Sequence, residues 1–413
     1  MKVGVYLDDS TPQAGGGHAF QDDIFQALVE LAVESKHFFV VFGEGQPRQS
    51  FIRPSPNLAF VDLLKLRRKQ MKRRVRIKLA RAYNRIAFEL PGMPLLSRGR
   101  STWIDQQLSD VGIDILWNIT PPGIHPDNVP FICTVLDLQH RLQPWFPEVS
   151  TEGMWGWREA QYSRLQRAAF VIVGTETGKS EVMRFYQVPQ ERIKVLPHPT
   201  PNFALRENRS GREEDDEEVM RRYQISHEYL FYPAQFWPHK NHVNLLLALR
   251  YLRDAFGIEY HLVFVGSDKG NESYVRSVAQ KLGLHSNTHF LGFVSQEEMV
   301  SLYRQAFALT YLTFFGPENL PPLEAFALGC PVIASRVPGA EEQLGGAALL
   351  VDPNNVEQVA NGIKQLRDDS DLRQGLVTRG YARASSWTGV DFVRSVFSIF
   401  DEFESVRRCW SMH

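Results

Sequence analysis

Cysteine is scarce in this chain: Cys133, Cys330 and Cys409 are the three in 413 residues, with no C-x-x-C pair and no Cys/His cluster of zinc spacing. That excludes a disulfide framework and a structural zinc site, and the apolar runs around Cys133 and Cys330 suit a reducing, cytoplasmic setting. An excess of one charge is also missing. Lys and Arg number 46 against 47 Asp and Glu, a net charge of −1, so no nucleic-acid partner is expected and any bound anion must be held by local groups. Long hydrophobic runs are absent: no stretch of roughly 18 apolar residues is unbroken. The opening MKVGVYLDD has too short an apolar stretch for a secretory signal. Neither a membrane span nor a leader is therefore expected, and no repeat is visible.

What is present is the composition of a large globular protein, 43% hydrophobic and 23% charged. A chain of 413 residues exceeds one ordinary core, so two large domains are expected. Short apolar, β-branched runs alternate with helix-period stretches: KVGVYL, HFFVVFG, IDILWNI, FICTVLD and FVIVG, then YLFYPA, HLVFVG, FALTYLT, CPVIAS and AALLV. Such runs belong to parallel strands buried on both faces and joined by helical crossovers, and they overfill one sheet. The fold class expected is α/β, in two domains with parallel sheets. The acidic, polar stretch RENRSGREEDDEEVMRRY from Arg206 reads as the connector, which ends the first domain at 205 and starts the second at 206.

The first half is interrupted at about 64–90 by LKLRRKQMKRRVRIKLARAYNRIAFEL, dense in Lys and Arg with apolar residues at roughly helical spacing. A basic amphipathic helix of this kind either lies peripherally on an anionic membrane face or packs on its own domain, and both readings stand.

Several loops at strand ends could carry chemistry. Gly16 and Gly17 open a helix after the first strand, where free amides and absent side chains admit a phosphate. A flexible loop would give the same text. In QFWPHKNH, Gln235 follows a strand and Lys240 precedes a helix near Asn241 or His242, in reach of a diphosphate; His239 and His242 lack a third ligand, so no metal is expected. In FFGPENLPPLEA, Pro321 and Pro322 open a helix, Asn319 and Leu320 stand before its free amides, and Glu324 is expected in its first turn, as a dipole-matched acid or a ribose ligand. In VLDLQH, Asp137 and His140 follow a buried strand at the edge that faces the crevice of a parallel sheet, as groups orienting a hydroxyl or as a cap and a core-edge histidine.

In this order, GGGHAF, VLDLQH, VIVGTETGKSEVMRFYQVPQERIKVLP, QFWPHKNH, HFLGFVSQEEMVSLYRQA and GPENLPPLEAFALGCPVIAS resemble the group 1 (family 4) retaining glycosyltransferases of GT-B fold, over nearly the whole chain. The resemblance implies two Rossmann-like domains facing across a cleft, a nucleotide diphosphate sugar donor held by the second, at 206–386, and a final helix, 387–413, crossing back to the first, at 1–205. Lys240 and Gln235 would lie at the diphosphate, Glu324 at the ribose, Phe293 and Val294 at the base, with the amides of Asn319 and Leu320 on the phosphates and Gly16 and Gly17 opposite. It implies transfer with retention, no cofactor and no metal, because Lys and helix dipoles neutralise the leaving group. Donors of GDP-mannose or UDP-glucose type and a glycan or lipid-linked acceptor fit that reading, in the cytoplasm at or near the inner membrane face.

Three positions depart from the family pattern: Gln235 stands for an Arg, Gly316 for the first Glu of Glu-x7-Glu, and Leu136 for the motif His. Glu318 is expected to take over contact with the donor sugar, and His140 to replace the histidine. The departures also keep a silent nucleotide-sugar-binding partner in view, and the shared architecture a sugar-nucleotide epimerase.

Overall fold

The computed structural model describes residues 1–11, 15–43, 55–63, 103–151, 153–207 and 213–410; the basic segment 64–90 lies outside them. The first sheet is built from β1 (Lys2–Tyr6), β2 (Phe38–Gly43), β3 (Leu58–Asp62), β4 (Ile115–Asn118), β5 (Phe131–Val135), β6 (Phe170–Val173) and β7 (Ile193–Val195). Its strands run parallel in the order β3-β2-β1-β4-β5-β6-β7. The second contains β8 (Tyr229–Pro233), β9 (His261–Val265), β10 (Thr288–Phe290), β11 (Ala308–Tyr311), β12 (Val332–Ser335) and β13 (Ala348–Val351), also parallel, in the order β10-β9-β8-β11-β12-β13.

Both orders reverse direction once, between β1 and β4 and between β8 and β11. At such a point neighbouring crossovers leave to opposite faces of the sheet and open a crevice above the strands' carboxyl ends. The runs that form the central strands are covered on both sides, as in FICTV of β5, where every residue is buried.

Seven helices matter for the site: α1 (Gly16–Leu31), α2 (Met154–Tyr162), α3 (Glu176–Tyr186), α4 (His242–Phe256), α5 (Leu320–Ala327), α6 (Ala340–Leu344) and α7 (Gly389–Arg407). Helix α1 starts directly after Gly15, whose φ of 85° a side chain would disfavour. Helix α3 is capped by the Thr175 hydroxyl, which accepts from the Gly178 amide at 3.0 Å. Helix α7 opens with a capping box of Thr388 and Asp391.

The second domain has one large core, which includes Ala204 and Val219 on either side of 208–212. The first domain's core is completed by the far end of the chain. Phe392, Val393, Val396, Ile399, Phe400 and Phe403 of α7 pack against α1 and the sheet, with Phe397 stacked on Phe39 at 5.3 Å and Phe400 edge-on to Trp117 at 6.0 Å. The two crossings between domains are tied together: Trp387 Nε1 donates to Pro197 O at 2.7 Å and the Thr200 amide to Trp387 O at 3.3 Å.

Candidate active site

A cleft of about 840 Å³ lies between the two domains, lined by loops at the carboxyl ends of β1, β5, β8, β9 and β11 and by the Gly15–Gly17 turn. This volume falls in the range of small-molecule sites, and the place is the one that the sheet topology dictates. Opposing loops meet at its rim. A Cβ at Gly15 would stand 3.3 Å from Gln235 Nε2, and one at Gly16 3.6 Å from Leu320 Cδ1. Gln143 Nε2 donates to Phe314 O at 3.0 Å, Phe146 stacks on Phe314, and His239 Nδ1 hydrogen-bonds the buried Glu148 carboxylate.

Among the residues read from sequence, Gly16, Gly17, Asp137, Gln235, Lys240, Phe293, Val294, Glu318, Asn319, Leu320 and Glu324 all line this cleft; His140 does not. Lys240 is fixed by its neighbour. Asn241, at φ 57°, donates its side-chain amide to Leu312 O (2.9 Å) and Pro353 O (3.1 Å), which locks the turn before α4. The ammonium lies 3.5 Å from Asn319 Oδ1 and over the Tyr311 ring, at the start of α5. A cation beside a helix N-terminus suits a diphosphate. Phe293 is 63% exposed on the cleft wall, a face available for stacking.

Glu324 is the fifth residue of α5, not in the first turn, because the helix begins only at Leu320. Its Oε2 accepts from the Tyr303 hydroxyl at 2.7 Å. Burial raises its pKa to about 7, with Tyr303 pulling down and Asp23 pushing up. Asp23, on α1 across the cleft, is itself raised to about 6 by burial, against the Asn202 amide that it accepts at 3.1 Å.

Three further expectations need correction. His140 is fully buried, its Nε2 3.1 Å from both Glu159 Oε2 and the Tyr186 hydroxyl and its ring stacked on Tyr162. The short helical turn Gln139–Leu142 leaves Gln139 on the cleft and rolls His140 into the domain, so it does not stand in for the motif histidine. Asn319 has no free amide to offer a phosphate, since that N–H donates to Gln343 Oε1 at 2.9 Å. The Glu318 side chain, 2% exposed, turns into the first domain: Oε1 accepts the His198 amide at 2.7 Å and Oε2 lies 3.5 Å from His198 Nε2. Burial lifts its pKa to about 8.

Sequence reasoning missed His198, Asp23 and Arg158. His198 follows β7 in the loop HPTPN, lines the cleft, and lies tilted against Phe20 with ring centroids 4.8 Å apart; its buried Nδ1 has no hydrogen-bond partner among the described residues. Burial lowers its pKa to about 4, so it is a neutral imidazole able to donate or accept. The place of HPTPN, just past the strand run KVLP, was the available signal. Arg158, on α2, lies 3.5 Å from Asp137, whose Oδ1 also accepts the Gln139 amide at 2.9 Å. No local pattern marked it.

Among the described residues, His37, Asp401 and Glu404 are the group close enough to share a metal ion; they are not cleft residues, and Lys36 already pairs with both carboxylates. No helix among the described residues is long and apolar enough to cross a membrane.

Two parallel Rossmann-like sheets closing on one cleft, with a lysine and a helix N-terminus in the second domain, define a protein of the GT-B class. The Anabaena protein Alr3699/HepE, solved in complex with UDP and glucose, superposes with a TM-score of 0.68 over 97% of this chain and 100% of its own, at 14% identity. Residues 215–383, in the second domain, match the family described as glycosyl transferases group 1. It is 27% identical over 229 residues to O-antigen chain mannosyltransferase B of Escherichia coli, covering 55% of this chain and 59% of that one. It is 28% identical over 205 residues to O-antigen chain mannosyltransferase RfbU of Salmonella typhimurium, covering 49% and 52%. The chain thus spans little more than half the length of these relatives.

Proposed function

We propose that this chain is a retaining hexosyltransferase that moves mannose from GDP-mannose onto a glycan or lipid-linked acceptor. The observation that carries the reading is the convergence of Lys240, the α5 N-terminus and the buried Glu324 on one interdomain cleft. Lys240 and the Leu320 amide would hold the diphosphate, Glu324 the ribose hydroxyls and Phe293 the base. Mannose is preferred over glucose because the two curated relatives described above are mannosyltransferases.

In this mechanism the sugar C1–O bond to the phosphate breaks and a C1–O bond to the acceptor hydroxyl forms on the same face. The acceptor proton passes to the departing phosphate oxygen, so positioning and charge stabilisation dominate and no metal is needed. Asp137 with Arg158, and the neutral His198, lie where acceptor and sugar hydroxyls would be oriented. The reaction would take place in the cytoplasm, with 64–90 as the segment able to meet an anionic membrane face.

Calorimetry with GDP, UDP and ADP tests the donor: micromolar binding of GDP, lost in a Lys240→Ala/Glu324→Ala variant, is the expected result. Tighter binding of UDP would move the donor to the UDP-glucose type, and no binding of any nucleotide would end the transferase reading.

A further inference from the structure

The β6–α3 turn, Gly174–Thr177, belongs to the first domain but is occupied by two acidic side chains of the second, Glu318 and Glu342. A methyl group at 174 would overlap the Glu318 carboxylate, so the glycine is a notch that this side chain fills. Two residues further on, the first free amides of α3 are taken. Glu342 Oε2 accepts the Glu176 amide at 2.6 Å, while its Oε1 accepts the Thr177 amide at 3.1 Å and the Thr177 hydroxyl at 2.6 Å. The Glu342 carboxylate at the start of this eleven-residue helix matches its dipole and its unsatisfied donors.

Both carboxylates are tied to the segment that faces the diphosphate site. Glu318 precedes Asn319 and Leu320 in the chain, and Glu342 precedes Gln343. Gln343 holds the Asn319 main chain from both sides, accepting its amide at 2.9 Å and donating to its carbonyl at 2.8 Å. The contacts of Glu318 and Glu342 with the turn thus add a first-domain anchor to a segment, 316–320, that Gln343 already holds within the second domain.

The geometry points to Gly174–Thr177 as the receiving half of an interdomain latch, with Glu318 and Glu342 as positioning residues that seat the 316–320 segment when the cleft closes. On this assignment Glu318 does not touch the donor sugar. The inference rests on the proposed glycosyl transfer only for its kinetic readout.

The test uses the full chain with Gly174→Ala, which fills the notch without altering either carboxylate, together with Glu342→Ala and Glu318→Gln. Small-angle scattering reads domain separation without substrate, calorimetry reads GDP affinity, and turnover of GDP-mannose reads kcat and KM. Gly174→Ala should open the particle and lower kcat about tenfold or more with GDP affinity within about threefold, because closure orders the site rather than binding the nucleotide. Glu342→Ala should shift both in the same direction, which covers the case of a Gly174→Ala protein that does not fold. The latch is overturned if Gly174→Ala and Glu342→Ala stay closed and active while Glu318→Gln alone loses turnover; Glu318 would then be a sugar ligand. A wild-type protein that turns over no donor, yet opens on Gly174→Ala, would instead discard the transferase reading and keep the latch.

Discussion

Glu324 and Tyr303 form a buried pair, the tyrosine hydroxyl donating to the carboxylate at 2.7 Å from the helix that precedes β11. The pair sets the charge of the group proposed to hold the ribose. Burial keeps Glu324 near pKa 7, so below neutrality it carries a proton and accepts poorly from hydroxyls. GDP affinity should rise with pH from 6 to 8 and flatten above, by calorimetry across that range. Tyr303→Phe removes the interaction that lowers the pKa and should move the rise upward; a pH-independent affinity in the wild type would exclude this role.

Gln343 presents a second, purely structural lever. Gln343→Leu keeps its volume but leaves the Asn319 amide and carbonyl without their partner. An unsatisfied polar group costs ~1–3 kcal/mol when buried, and the part-buried Asn319 main chain puts the loss at the low end of that range, set against the ordered form of the segment beside the phosphates. GDP affinity should fall about tenfold, with guanosine affinity unchanged; equal losses for both would place the effect elsewhere.

Glu318 makes stability depend on pH. Its pKa is near 8 in the folded chain and near 4.5 unfolded, so its contribution is fully present below about pH 4.5 and is lost as pH rises through 8. Over that window the slope approaches ~1.4 kcal/mol per pH unit for one such group. Glu318→Gln, which never ionises, should show a smaller fall in Tm between pH 6 and pH 8 than the wild type, measured by calorimetry in matched buffers.

Phe400 is fully buried and touches Phe39, Trp117 and His37 through its ring. Phe400→Ala should destabilise the first domain by ~3–5 kcal/mol. In denaturant the first-domain transition should move to lower concentration while the second-domain transition stays, followed by hydrogen exchange on each; a uniform shift would mean that the domains unfold as one.

The central strands were legible because both of their faces are covered, which writes an uninterrupted apolar run into the chain. The strands that sequence reading missed are β3, β7 and β10, all at sheet edges, where most residues are only half-buried and the run is broken by polar residues. The site was legible where a residue's role follows from its own loop, as for Lys240 before α4 or Leu320 at the start of α5. It was not legible where the partner comes from the other domain. Glu318 was read as facing the sugar because nothing in GPENLPPLEA reveals that Gly174 leaves a vacancy for it. His140 follows a strand end as Asp137 does, and only the turn between them sends one to the cleft and the other to the interior.

Helix α7 makes the order of synthesis matter. The first domain's sheet is complete at β7, yet the face beside α1 stays apolar and open until Phe392, Val393, Val396 and Phe400 emerge behind the whole second domain. A nascent chain thus carries an unfinished core throughout the translation of its partner domain, exposed to chaperones and to its neighbours on the same message. Truncation before Trp387 would leave the intact strands of the first domain without the wall that they fold against.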